Sequence, residues 1–279
     1  QNKNVGFTYH GKRYSPILAN DNWGGGTQTK KIAQTPSGSV SYSGTLLNPS
    51  YFDLPTLTNL YQYVENDTNF SQYAPRFKKA IGNSMSYLEQ VQKDFNGALP
   101  DNPGWAEGGK GPHPVGWDSI RFLTHLGMYI NYCINPKSPH TDLFGLLPQT
   151  EAMLSKMLEY VLTNSTNKFE PNMEFEPQGA KLKGGALLGP LLTAMKALQI
   201  LNQQNPNAPG LQKLRPELTD KNITQLENSL NIASEISANS IDPSNNTAWQ
   251  TWQTEYYSTM LTLINKTDAS LIGASARKR

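Results

Sequence analysis

From Asp53 onward, apolar residues recur three and four positions apart in long runs, and each run is bounded by Pro, Gly or Asn. That spacing gathers apolar side chains on one face of a 3.6-residue helix, so most of the chain can fold only by packing helices against each other. The runs fall at 54–65, 75–95, 117–134, 149–163, 185–203, 219–237 and 247–265, which predicts about seven helices. Asp53 ahead of Leu54-Pro55 places proline in a first turn, where its missing N–H costs nothing, and Thr219-Asp220 and Asn246-Thr247 supply capping oxygens. Gly97, Asn135-Pro136 and Asn205-Pro206 follow their runs as a left-handed cap or a break would. Residues 1–52 read differently. Gly24-Gly25-Gly26, Pro16, Pro36, Gly38 and Gly44 lie among Ser, Thr and Asn without sustained periodicity, which predicts loop with a short hairpin. The expected architecture is a single all-α domain, either a helical toroid or an irregular bundle, with helices over 53–270 and a polar tail at 271–279.

Charge and cysteine content narrow the function. Lys+Arg 24 against Asp+Glu 22 leaves +2, with only 16% charged residues, so no strong field is available for nucleic acid or a membrane surface. Cys133 is the single cysteine, which removes an internal disulfide and a Cys-based zinc site, and no apolar run reaches the roughly 18 residues of a membrane span. His10, His113, His125 and His140 are scattered, without the i, i+4 pairing of a zinc helix, so no metal is expected. Gly184-Gly185-Ala186-Leu187-Leu188-Gly189-Pro190 lacks the following Lys-Ser/Thr of a phosphate loop and reads as close helix packing, so no cofactor is expected either. Aromatic residues make up 10% and sit among many Asn, Gln, Ser and Thr, a mixture suited to stacking and hydrogen-bonding a sugar.

The stretch richest in chemistry is Pro112-His113-Pro114-Val115-Gly116-Trp117-Asp118-Ser119-Ile120-Arg121, at the end of a long loop (96–116) and the start of a helix. Asp118 falls in the first turn, at the positive end of the helix, with Arg121 three residues on near the same face. Two readings stand: a carboxylate held as a base toward water, or one that stabilises its own helix and pairs with Arg121. Tyr51 and Phe52 follow an Asn48-Pro49 turn and either pack on the next helix or line a groove with the Tyr51 hydroxyl free. Trp23, Trp105 and Trp117 lie in or beside Gly-rich loops and are candidates for ligand stacking, whereas Trp249 and Trp252 sit at helical spacing and read as interior. Glu107, Glu174 and Glu176 read as solvated surface, and Cys133 as a small buried hydrophobe.

Asn48-Pro49-Ser50-Tyr51-Phe52 and the later Gly116-Trp117-Asp118-Ser119-Ile120-Arg121 resemble two signatures of glycoside hydrolase family 8, written N-P-S-Y-[FL] and Y-D-A-x-R. In the same order, Ile17 to Gly24 resembles a segment ahead of N-P-S-Y, Ala186 to Leu192 a late Gly/Ala-rich helix, and Glu255 to Leu261 a closing Y-Y-x-x-x-L helix. Trp117 and Ser119 stand where the family has Tyr and Ala. The resemblance implies an (α/α)6 toroid that cleaves internal β-1,4 bonds of a polysaccharide, cellulose or β-glucan foremost, with inversion. Inversion uses two carboxyl groups about 6.5–9.5 Å apart, one protonating the leaving oxygen and one activating water on the opposite face. By motif, Asp118 is the implied general base, Arg121 the arginine beside it, Tyr51 the tyrosine near the attacking water and Trp23 a sugar platform.

The family's acid, a Glu in an S-E-G-Q-x-Y-G-type motif, and its D-[AG]-D-x-D segment have no counterpart in these residues. About seven helices also stand against the toroid's twelve. The resemblance therefore implies an incomplete toroid, either completed by an acid-bearing N-terminal fragment of the same protein or existing as a natural short form. Its polymeric substrates imply a secreted or periplasmic location. The alternative function is a non-catalytic carbohydrate-binding or scaffold protein on the same helical fold, using Tyr51, Trp23 and Trp105 to stack sugars. In a third reading, an all-α interaction protein, Asp118 would do no more than pair with Arg121.

Overall fold

The computed structural model describes residues 7–15, 31–43, 47–101, 116–134, 142–176 and 182–239. Six α-helices dominate them: α1 (Leu54–Asn66), α2 (Ala74–Asp94), α3 (Trp117–Ile134), α4 (Leu147–Thr163), α5 (Gly185–Gln204) and α6 (Asp220–Asn239). Each lies within a few residues of a run expected from periodicity. The seventh run, 247–265, and the Asn135-Pro136 and Asn246-Thr247 signals fall outside the described residues. Asp53 caps α1, accepting from the Thr56 amide at 3.4 Å and the Thr56 hydroxyl at 2.6 Å, and Thr219 accepts from the Asn222 amide at the start of α6. Gly97, at φ +95°, takes the left-handed position after α2 and donates its N–H to the Gln92 carbonyl at 2.8 Å.

The all-α expectation needs correcting, because the N-terminal segment is a small sheet and not a loop with one hairpin. Strands β1 (Phe7–Tyr9), β2 (Lys12–Tyr14), β3 (Lys31–Thr35) and β4 (Gly38–Ser43) form an antiparallel sheet in the order β2-β1-β4-β3. A second, three-stranded antiparallel sheet joins β5 (Ser165–Thr166), β6 (Glu174–Phe175) and β7 (Leu182–Lys183) between α4 and α5. These strands of two to six residues are too short to carry a period-2 signal by themselves. What stabilises the first sheet is tertiary contact. Its inward residues Phe7, Tyr9, Tyr14, Val40 and Tyr42 are buried, and Phe7, Tyr9 and Tyr14 surround Tyr87 of α2 with ring centroids 4.6–5.6 Å away. The two-residue turn His10-Gly11 has φ of +52° and +73°, the geometry that matches the twist of a hairpin.

Below the aromatic cluster, Asp94 ends α2, where the helix dipole disfavours a carboxylate. Donors offset this: the Tyr9 hydroxyl and His10 Nε2, each 2.9 Å from Oδ2, and Gln90 Nε2, 3.2 Å from Oδ1. The sheet is thereby tied to the end of α2.

Helix α3 runs through the core, packing against α1, α4 and, over its greatest extent, α5. Phe122, Leu123, Leu126, Tyr129 and Ile130 are wholly buried, as is nearly every residue of the first half of α5. The two helices approach closely at Gly127, where an added Cβ would stand 3.0 Å from the Thr193 carbonyl oxygen. That neighbour is backbone and cannot rotate away. Gly127→Ala is therefore expected to destabilise the protein by about 1–3 kcal/mol, the cost typical of overpacking a core. Urea unfolding checks this, and an unchanged midpoint would contradict the close approach.

Candidate functional site

The first turn of α3 begins at Gly116, whose carbonyl accepts the first helical bond from the Ile120 amide at 3.1 Å. A glycine cap brings no side chain, so the early N–H groups need an acceptor from elsewhere. Asp101, fifteen residues earlier in the chain, supplies it. Its Oδ1 accepts from the Gly116 amide (2.9 Å), the Ser119 amide (2.9 Å) and the Ser119 hydroxyl (2.8 Å). Burial pushes the Asp101 carboxyl above the usual carboxylate range; the bonds from Ser119 and Gly116 pull against that and the nearby Asp118 charge adds to it.

Asp118, one residue before Ser119, holds two partners. Its Oδ1 is 3.1 Å from Arg121 Nη2, and its Oδ2 accepts from Asn48 Nδ2 at 2.8 Å. The first contact was expected from spacing; the second joins two segments 70 residues apart. Asn48 is itself held, because its Oδ1 accepts from the Ser50 amide (2.8 Å) and hydroxyl (2.9 Å) across the 3-10 turn Pro49–Tyr51. A carboxylate offers about four lone-pair directions. Two are used by these partners, and the Asp118 side chain keeps 25% of its surface exposed, so a water or a ligand hydroxyl can still bind it.

The same turn separates the two aromatics that the sequence left open. Phe52 is fully buried, its ring centroid 6.4 Å from that of Phe122 in α3, while Tyr51 is 52% exposed. Packing falls to Phe52 and solvent contact to Tyr51. Two turns along α3 from Asp118, His125 Nε2 lies 3.0 Å from the Ser50 carbonyl oxygen, and its Nδ1 lies 3.7 Å from Asp53 Oδ1. The carbonyl can only accept, so Nε2 carries the proton. Asp118, Arg121 and His125 thus line one side of α3, and the Asn48–Tyr51 turn is docked there by hydrogen bonds at both ends.

Of the other expected site residues, Trp23 and Trp105 lie outside the described residues, as does Glu107; Trp117 opens α3. Glu174 is half-buried in β6 and Glu176 is exposed, both in the chain segment beyond α4. Cys133 is half-buried in the last turn of α3, its thiol pushed up to about 12 chiefly by burial. Among the described residues, no three His, Cys, Asp or Glu side chains converge as a metal site, and no helix is long and apolar enough to cross a membrane. Sequence reading missed Asn48, Asp101 and His125 as members of the site. Asn48 left a signal as the first residue of the N-P-S-Y element, and Asp101 one in the missing cap at Gly116.

His125 gives the site a pH dependence. Burial holds its pKa below the ordinary value of about 6.5, more strongly than Asp53 and the Ser50 bond raise it. A depressed folded value means that the unfolded chain takes up the proton first, so stability is retained above that ordinary value and falls as pH drops toward the lowered one. The melting temperature of His125→Gln relative to wild type should therefore rise between about pH 7.5 and about pH 5. A constant difference would contradict the buried, neutral imidazole. No family model, curated protein or solved structure matches this chain.

Proposed function

We propose that the chain carries the general-base half of an inverting glycoside hydrolase acting on internal β-1,4 bonds of a polysaccharide, cellulose or mixed-linkage β-glucan foremost. The supporting observation is the 2.8 Å hydrogen bond from Asn48 to Asp118, which brings together the two motifs that resemble glycoside hydrolase family 8. An accidental resemblance at two distant positions gives no reason for them to meet at a carboxylate.

In this reading Arg121 and Asn48 orient the Asp118 carboxylate, and its exposed quarter accepts a proton from water. Tyr51, presented to solvent by the docked turn, helps to seat that water against the sugar. The water oxygen forms the new bond at the anomeric carbon as the glycosidic bond breaks on the opposite face, where a second carboxyl protonates the leaving oxygen. The proposal assigns that acid to sequence outside these 279 residues. It likewise assigns the six described helices to part of an (α/α)6 toroid, and the protein to a secreted or periplasmic setting where such polymers are met.

The test is Asp118→Asn in the full-length protein, assayed for reducing ends released from soluble mixed-linkage β-glucan. The expected loss in kcat is about 10²–10⁴-fold, the worth of a positioned general base, with the far-UV spectrum and melting temperature retained. Undiminished turnover in the variant would remove the base assignment. Oligosaccharide binding without release of reducing ends by wild type would instead identify a non-catalytic carbohydrate-binding protein.

A further inference from the structure

We infer that Asp101 is the positioning residue of the Asp118 carboxylate: it grips the α3 backbone on both sides of Asp118. The inference deepens the reading of Asp118 as a base, and only its kinetic consequence rests on that reading.

The geometry comes first. Asp101 Oδ1 binds the amides of Gly116 and Ser119, the residues at the cap and third positions of the helix, so Asp118 at the second position is bracketed by groups held to one buried atom. A local capping residue would hold only the third-position amide with its side chain. Asp101 is 7% exposed, so solvent does not compete for these bonds. Gly116 is required, because a Cβ there would stand 2.3 Å from Asp101 Oδ2. Ser119, which departs from the alanine of the resembled motif, adds its hydroxyl as a further donor to the same oxygen. In this chain the departure is part of the clamp.

Arg121 and Asn48 hold the two carboxylate oxygens of the residue so gripped. A purely structural cap would support the fold without altering how Asp118 meets Asn48.

Asp101→Asn keeps the clamp, since the amide oxygen can still accept from Gly116 and Ser119, whereas Asp101→Ala removes it. Ser119→Ala removes one of the three bonds to Asp101 and keeps the others. The measurements are the side-chain amide resonance of Asn48 by NMR, which reports its bond to Asp118, and kcat and KM on soluble β-glucan, in wild type and the three variants. The Asn48 resonance should stay in place in Asp101→Asn and move toward the free-amide position in Asp101→Ala, with Ser119→Ala in between. Asp101→Ala should lower kcat by about 10–100-fold with KM little changed, and Asp101→Asn should restore most of that loss. An Asn48 resonance unmoved in folded Asp101→Ala would overturn the inference. If wild type hydrolyses no glycan, the base reading fails, and the Asn48 resonance by itself still decides the role of Asp101.

Discussion

The free N–H groups at the start of α3 are the constraint around which the site is built. The helix is apolar enough to lie in the core, but it starts at a glycine and cannot cap itself. A buried carboxylate must come to it, and Asp101 does so through bonds of 2.8–2.9 Å. Once that end is held, the rest follows from helical spacing: Asp118, Arg121 and His125 face the same side, and the Asn48–Tyr51 turn docks there. Asn48 bonds to the first of these residues and the Ser50 carbonyl to the last.

The small N-terminal sheet acquires a purpose in this arrangement. Tyr9 and His10 bind Asp94 at the end of α2, and the Ser37 amide donates to the Asp94 carbonyl at 3.2 Å. Gly97 then turns the chain, Ala98 and Leu99 bury their side chains, and Asp101 arrives beside α3. The sheet therefore fixes the exit of α2, and that exit sets where Asp101 can reach. On the opposite side, the tight contact of Gly127 with Thr193 prevents α3 from sliding along α5. A first turn clamped at one end and a helix pinned along its length leave the Asp118 carboxylate little freedom except to rotate toward its partners.

Much of the helical framework was legible because amphipathic runs need only local sequence to be recognised. The run at 117–134 coincides with α3, and Asp53, Thr219 and Gly97 perform the capping roles their chemistry suggests. The strands were not legible. Lys12–Tyr14 and Glu174–Phe175 are too short for alternation to show, and Phe7, Tyr9 and Tyr14 become a buried face only because Tyr87, more than seventy residues away, fills the space between them. In the site, the Asp118–Arg121 pair followed from spacing alone. Asn48 at Asp118 did not, since a hydrogen bond across 70 residues depends on where two elements dock.

By itself, the sequence determined the six described helical segments, where several of them start and stop, and that a carboxylate and an arginine would share the first turn of α3. Those features rest on interactions a few residues in range, which the 3.6-residue repeat makes nearly obligatory. Only the tertiary structure decided that Phe52 packs inward while Tyr51 meets solvent, that His125 stays neutral against the Ser50 carbonyl, and that Asp101 caps a helix it does not adjoin. The physical reason is burial. A polar group removed from water must find a partner wherever the packing of distant elements provides one, and that choice is made by the folded core as a whole.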